Sequence, residues 1–311
     1  MPATADETLA DEARRRKQAG AAAIAAGVLT IASGAVAVIV YRDQPTVPLV
    51  DSLREHLQAN PPAVGLKVRE ALFYDQHAAA VILASVLLAL ATAAIGLTLT
   101  HLYRSTKARR PELPRAVVVA AVAGSTCVAV GELVHGISLV IESHNLAASA
   151  HPTAAAARDA LHPPLANAGL LLRVLGAFAL GFAVIMLALN AMRVGLLTRF
   201  MGVLGMIVGA LMIVPLGASL PIVQAFWFCA LGALFLGYWP PGLPPAWVTG
   251  EAQPWPTQQE LREQRLARQA PSDPPRPRGG RQRPEPPETP APEAPVRPAH
   301  SSSKKRRGKR R

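Results

Sequence analysis

The chain has 311 residues, half of them hydrophobic and only 17% charged, with a formal net charge of +12. Ordinary soluble domains carry about 25% charged residues, and here 22 of the 52 charged side chains fall in the last 61 residues, Glu251 to Arg311. The rest of the chain carries apolar runs of about twenty residues, the length that crosses ~30 Å of hydrocarbon as a helix, which argues against a soluble single-core enzyme.

Residues 1–19 form an N-terminal tail with Arg14, Arg15, Arg16 and Lys17 just before a first predicted span at 20–41. Its apolar stretch exceeds the ~7–15 residues of a cleaved signal peptide, so it is expected to stay as an anchor. The next loop offers two amphipathic stretches, 48–59 and 64–74, separated by Pro61-Pro62. They are expected to lie on the outer surface, cap the bundle or cover a vestibule. Span two is predicted at 77–103, followed by a basic link, and span three at 116–141 carries Glu132 and His135. Span four, 168–190, carries Arg173, and span five, 197–216, contains Gly205 and Gly209 in a GxxxG pattern that suits close helix packing. Span six is predicted at 221–239, before a Pro/Trp-rich segment over 241–256.

A capping-box signature, Thr257-Gln-Gln-Glu260, opens a short polar helix to about Gln269. The tail over 257–311 is otherwise expected to be disordered, because residues 251–311 hold 13 prolines but only three residues from Leu, Ile, Val and Phe. It ends on Lys304, Lys305, Arg306, Arg307, Lys309, Arg310 and Arg311, a cluster suited to anionic lipid headgroups. Nucleic acid is the rival partner, but no folded nucleic-acid-binding motif accompanies the run.

Cation placement sets the orientation, since Lys and Arg are retained on the cytoplasmic side. With both termini inside, the inner segments hold the four N-tail cations, then Arg104, Lys107, Arg109, Arg110 and Arg115, then Arg193 and Arg199. The longer outer loops hold only Arg42, Arg54, Lys67, Arg69 and Arg158. All four tyrosines, Tyr41, Tyr74, Tyr103 and Tyr238, sit at or beside predicted helix ends, and Trp239, Trp247 and Trp255 follow the last span, as in an interfacial aromatic belt.

Ionisable groups in hydrocarbon are costly and mark candidate sites. Glu132, His135 and Arg173 fall at compatible depths, roughly 15, 10 and 8 Å below the outer boundary at 1.5 Å per residue. Glu132 and His135 share one helical face, and a Glu132–Arg173 pair would spare both an unpaired burial. That pair would either fix helix register or form a site for a polar solute, proton or ion. Glu-x-x-His resembles half of a helical carboxylate metal site, but no second copy exists. His77, His144, His151 and His162 also fall on the outer side, without metal-ligand spacing. Cys127 and Cys229 lie in apolar segments with no CxxC pair, and serve as small fillers. No phosphate loop, nucleophile elbow or cofactor motif is present, so no catalytic residue, metal or cofactor is assigned. A homodimer through Gly205 and Gly209 is one use of the span-five ridge; packing inside the bundle is the other.

The stretch Gly237-Tyr-Trp-Pro-Pro-Gly-Leu-Pro-Pro-Ala-Trp247, continuing through Gly250-Glu-Ala-Gln-Pro-Trp-Pro256, resembles the post-membrane segment of uncharacterised actinobacterial multi-pass membrane proteins, as does the Gly-rich fifth span. The resemblance covers spans four to six and implies a bacterial plasma-membrane location, with no activity attached. The expectation is an all-α, six-helix transmembrane bundle with both termini cytoplasmic. Its expected role is that of a non-enzymatic scaffold or sensor-like protein. A solute or proton-coupled transporter using Glu132, His135 and Arg173 is one alternative, and an outward-facing metal-dependent enzyme another.

Overall fold

The computed structural model describes residues 5–45, 65–214, 221–240 and 242–256, together with Glu260, Arg262, Glu263 and Leu266. The described residues are helical, with no strand among them. In chain order they form α1 (Ala5–Tyr41), α2 (Leu66–Gln76), α3 (Ala78–Arg109), α4 (Arg115–Ala147), α5 (Ala154–Leu161), α6 (Pro164–Arg193), α7 (Arg199–Ile213), α8 (Ile222–Leu236) and α9 (Ala246–Thr249). The stretch 46–64, the 215–220 connection and the basic tail lie outside the described residues.

The helices begin and end where local chemistry dictates. Thr153 and Thr198 cap α5 and α7 by accepting hydrogen bonds from the backbone N–H groups of Ala156 and Met201. Pro164 opens α6 at a position whose N–H would be unpaired in any helix. Gly237 ends α8 with φ at +87°, a left-handed turn that costs glycine no Cβ clash.

Successive long helices pack as neighbours, α1 on α3, α3 on α4, α4 on α6 and α6 on α7, and α8 returns to α1. The chain thus runs up and down around one interior. The end that carries Arg109, Val194 and α9 is called the basic end here; the other is covered by α2 and α5. Val68 and Ala71 of α2 pack with Leu139 and Leu146 of α4 and Ala157, Ala160 and Leu161 of α5. The described part of the second amphipathic stretch, α2, is therefore a cap on the bundle rather than a helix lying apart from it. The main core fills the basic half, where Leu99, Leu187, Leu197, Met201, Trp227, Phe228 and Leu231 are fully buried.

Outward faces are apolar as well. Leu83, Leu90, Leu97, Val119, Val130, Ile141, Leu171, Leu175, Phe178, Phe182, Val203, Ile207 and Phe226 are all exposed large hydrophobics. A water-soluble bundle turns its polar face outward and rarely shows so much contiguous apolar surface. Stretches ending with α1, α3, α4 and α6 are long and apolar enough to cross a membrane. α7 and α8 are apolar but have 15 residues each, about 22 Å of helix against ~30 Å of hydrocarbon. The predicted fifth and sixth spans are thus shorter as helices than the apolar runs that announced them.

The structure refines the reading of the tail and corrects that of the aromatic belt. The N-terminal tail is helical from Ala5 on and continuous with the first apolar run in α1, and its Glu12 is buried. Tyr103 is not a belt residue, being buried at 7% exposure with a hydroxyl that has no partner among the described residues. Trp247 and Trp255 turn their indole N–H groups inward, donating to the Leu196 and Leu197 carbonyls at 2.8 Å each. The Pro/Trp-rich segment is a strap across the basic end, held further by Gln253 N–H on the Val194 carbonyl and Arg199 on the Pro256 carbonyl.

Candidate functional site

The register of α4 against α6 is set by glycines. A Cβ built on Gly131 would stand 2.6 Å from the Arg173 nitrogen and 2.6 Å from the Gly169 carbonyl oxygen; one on Gly169 would stand 2.7 Å from the His135 nitrogen. Seven residues along, Gly124 and Gly176 meet in the same way, 2.9 Å from Cβ to carbonyl oxygen. Only hydrogen at these positions lets the two backbones touch. Their contact brings Glu132 of α4 level with Arg173 of α6.

Arg173 donates from Nη1 to Glu132 Oε2 at 2.9 Å, and Ser85 Oγ of α3 donates to Oε1 at 3.3 Å. Each carboxylate oxygen is thereby partnered, the condition for burying a charge at tolerable cost. The Arg173 side chain is 38% exposed and that of Glu132 13%. Glu132 is the partner Arg173 takes among the described residues, so a guanidinium with five N–H donors keeps several to spare. His135 shares the face of Glu132, and its Nδ1 lies 3.0 Å from the Ala166 carbonyl. A carbonyl only accepts, so Nδ1 carries a hydrogen and donates it to Ala166.

These groups line a cavity of about 230 Å³ in the half of the bundle near α2 and α5. Its polar wall comprises Ser33, Tyr41, Tyr74, Ser85, Glu132, His135 and Arg173, and its apolar wall includes Val81, Leu88 and Leu139. Five helices contribute: α1, α2, α3, α4 and α6. Tyr41 and Tyr74 meet edge to face with ring centroids 6.3 Å apart, and Gln44 Nε2 donates to the Tyr74 hydroxyl at 2.9 Å. Burial pushes the Tyr74 phenol above its ordinary value, with the Gln44 hydrogen bond opposing and Glu70 adding to the rise. Ser33 is committed to the Ala84 carbonyl at 3.0 Å.

Glu132, His135 and Arg173, the three residues singled out by sequence, thus line one cavity. Ser33, Ser85 and the two tyrosines were missed as lining groups. Small hydroxyls inside apolar spans, and tyrosines at span ends, were the signals for them. The other outer-loop histidines are not gathered with them. His77 stacks on Phe73 at 4.3 Å, and His144 Nδ1 pairs with Asp75 at 2.8 Å. Among the described residues no three His, Cys, Asp or Glu side chains are placed to hold one metal ion. Cys127 and Cys229 are free. Gly205 faces Ala188 and Trp227, and Gly209 faces the Gly181 carbonyl and Ile185, so the GxxxG ridge is covered within the chain. Lys304 to Arg311 lie outside the described residues.

Comparison with protein-family models, with curated proteins and with solved structures finds no match to this chain.

Proposed function

We propose that this is an integral membrane protein of the bacterial plasma membrane with six crossings and both termini cytoplasmic. It acts as a non-enzymatic, sensor-like scaffold that binds a small polar solute in the cavity around Glu132 and Arg173. α7 and α8 complete the fifth and sixth crossings together with their flanking residues. The basic tail, ending in Lys304 to Arg311, lies against anionic lipid headgroups.

The observation that carries the proposal is that the Glu132–Arg173 pair lines a cavity of about 230 Å³ instead of being sealed in a dry contact. The pair neutralises itself, while the spare Arg173 donors suit a ligand with acceptor oxygens and the apolar wall suits a short carbon frame. Binding is favoured over conduction because the interior beyond the cavity is packed. Ala91, Ile95, Leu99, Ala183, Val184 and Leu187 are fully buried there.

The transporter alternative rests on the same carboxylate and histidine. Proteoliposomes holding the full chain and a trapped pH dye separate the two. For a sensor-like binder, an imposed proton gradient decays at the rate of empty vesicles, with or without Glu132→Gln. A faster decay abolished by Glu132→Gln would establish the transporter instead. Reporter fusions at residues 110, 150, 195 and 256 test the topology, with only the one at 150 expected outside. Deleting residues 251–311 is expected to alter localisation or partner recruitment. A deletion without any such effect would remove the scaffold role.

A further inference from the structure

A second cavity, of about 260 Å³, lies at the basic end between the first turns of α1 and the last turns of α3. At ~30 Å³ per water this is room for about nine waters, or a small headgroup-sized molecule. Its two walls differ in sign. α1 supplies Glu7, Asp11 and Glu12 against one cation, Arg15, whereas α3 supplies Arg104, His101 and Ser105. Glu12 is bound by both terminal nitrogens of Arg109, and Asp11 accepts from Arg15 Nε at 3.1 Å.

The α3 wall is unusual in its hydrogen bonding. His101, Ser105 and Arg109 recur every four residues and so share one face of the helix. His101 is 7% exposed and Ser105 2%. His101 Nε2, Ser105 Oγ and Arg109 Nε are all buried and have no hydrogen-bond partner among the described residues. Buried polar atoms are nearly always satisfied, so the two of these residues that line the cavity, His101 and Ser105, point to a partner that completes them. The ring of His101 is held by Phe235, edge to face at 5.0 Å, and by Trp247, stacked at 6.2 Å.

From this we infer that the basic-end cavity is a binding site for a zwitterion that joins a primary ammonium to an oxyanion. The ammonium meets the acidic wall of α1, with Asp11 at the rim, and the oxyanion meets Arg104 on the donor wall of α3. Complementary potentials on the two walls select a molecule with both charges over one with either alone. Such a group comes either as a lipid headgroup, phosphatidylethanolamine, or as a free solute. The site is separate from the Glu132–Arg173 cavity and does not depend on the function proposed there.

The test uses the full chain, with Trp emission as the readout because Trp247 stacks on His101. Soluble O-phosphoethanolamine is titrated into protein in detergent. In parallel, protein is reconstituted in nanodiscs of phosphatidylcholine with rising phosphatidylethanolamine. A saturable change in the first arm identifies a free zwitterion, and one confined to the second identifies the lipid headgroup. Either is expected to weaken at least tenfold in Asp11→Asn and in Arg104→Gln, and to persist in Arg115→Gln, which removes an equal charge from the same end. Asp11 and Arg104 are both exposed, so these variants retain the fold, as gel filtration would check. No saturable change in either arm would overturn the assignment. So would equal binding of inorganic phosphate or ethylamine alone, or equal loss in Arg115→Gln.

Discussion

Replacing Gly131 by alanine tests whether backbone contact between α4 and α6 builds the cavity. The new Cβ would sit 2.6 Å from both the Arg173 nitrogen and the Gly169 carbonyl oxygen. Both are backbone atoms, so no side chain can swing away. Relief to ordinary contact near 3.4 Å requires the helices to part by about 0.8 Å, and a gap of that size forfeits a quarter to a half of each dispersion contact along the seam. Overpacking of this kind costs about 1–3 kcal/mol, and the upper end is expected because Gly124 and Gly176 lie on the same seam. Gly96→Ala is the matched control, since its Cβ would meet only the Ser125 side chain: the hydroxyl can turn away by giving up its bond to the Val122 carbonyl, and the Ser125 Cβ at 3.1 Å asks for only a few tenths of an ångström. Reversible unfolding in mixed micelles, followed by circular dichroism, measures both. Equal losses in the two variants, or a neutral Gly131→Ala, would refute the idea that this contact places Glu132 opposite Arg173.

The Glu132–Arg173 pair is half open on the arginine side, so its coupling is expected near 1 kcal/mol, below that of a sealed pair. A double-mutant cycle of Glu132→Gln with Arg173→Gln measures it, and additive losses would show no interaction. The Arg109 side chain is fully buried against Glu12, so Glu12→Gln leaves a buried cation short of its counter-charge. A loss of about 3 kcal/mol is expected in the same unfolding assay, and a loss below ~0.5 kcal/mol, ordinary for a surface change, would contradict that burial. Trp247→Phe removes one hydrogen bond to the Leu196 carbonyl and is expected to cost about 1 kcal/mol and to raise protease cleavage after residue 240. Tyr74 has a folded pKa raised by burial, so its contribution is full below the unfolded value near 10 and is lost as pH climbs through the higher folded value. Stability of the protein should therefore fall less steeply above pH 10 in Tyr74→Phe than in the parent, as alkaline unfolding series would show.

What sequence alone determined here was the class of surface and which charges are exceptions within it. Apolar runs of membrane-crossing length follow from composition, because a residue that faces lipid must be apolar whatever its neighbours are. Glu132, His135 and Arg173 stood out for the same reason: in hydrocarbon a charge is an exception visible without coordinates. Tertiary structure decided what those charges do. The contact of Gly131 with Gly169, which sets Glu132 beside Arg173, joins residues 38 positions apart, and no local pattern encodes which glycines meet. Tyr41 and Tyr74 read as interfacial residues by position, yet α2 folds over the bundle and turns both into cavity wall. The strap of Trp247 and Trp255 could not be foreseen either. An indole at a helix end suits headgroups and a buried carbonyl equally, and only the packed basic end supplies the carbonyls of Leu196 and Leu197.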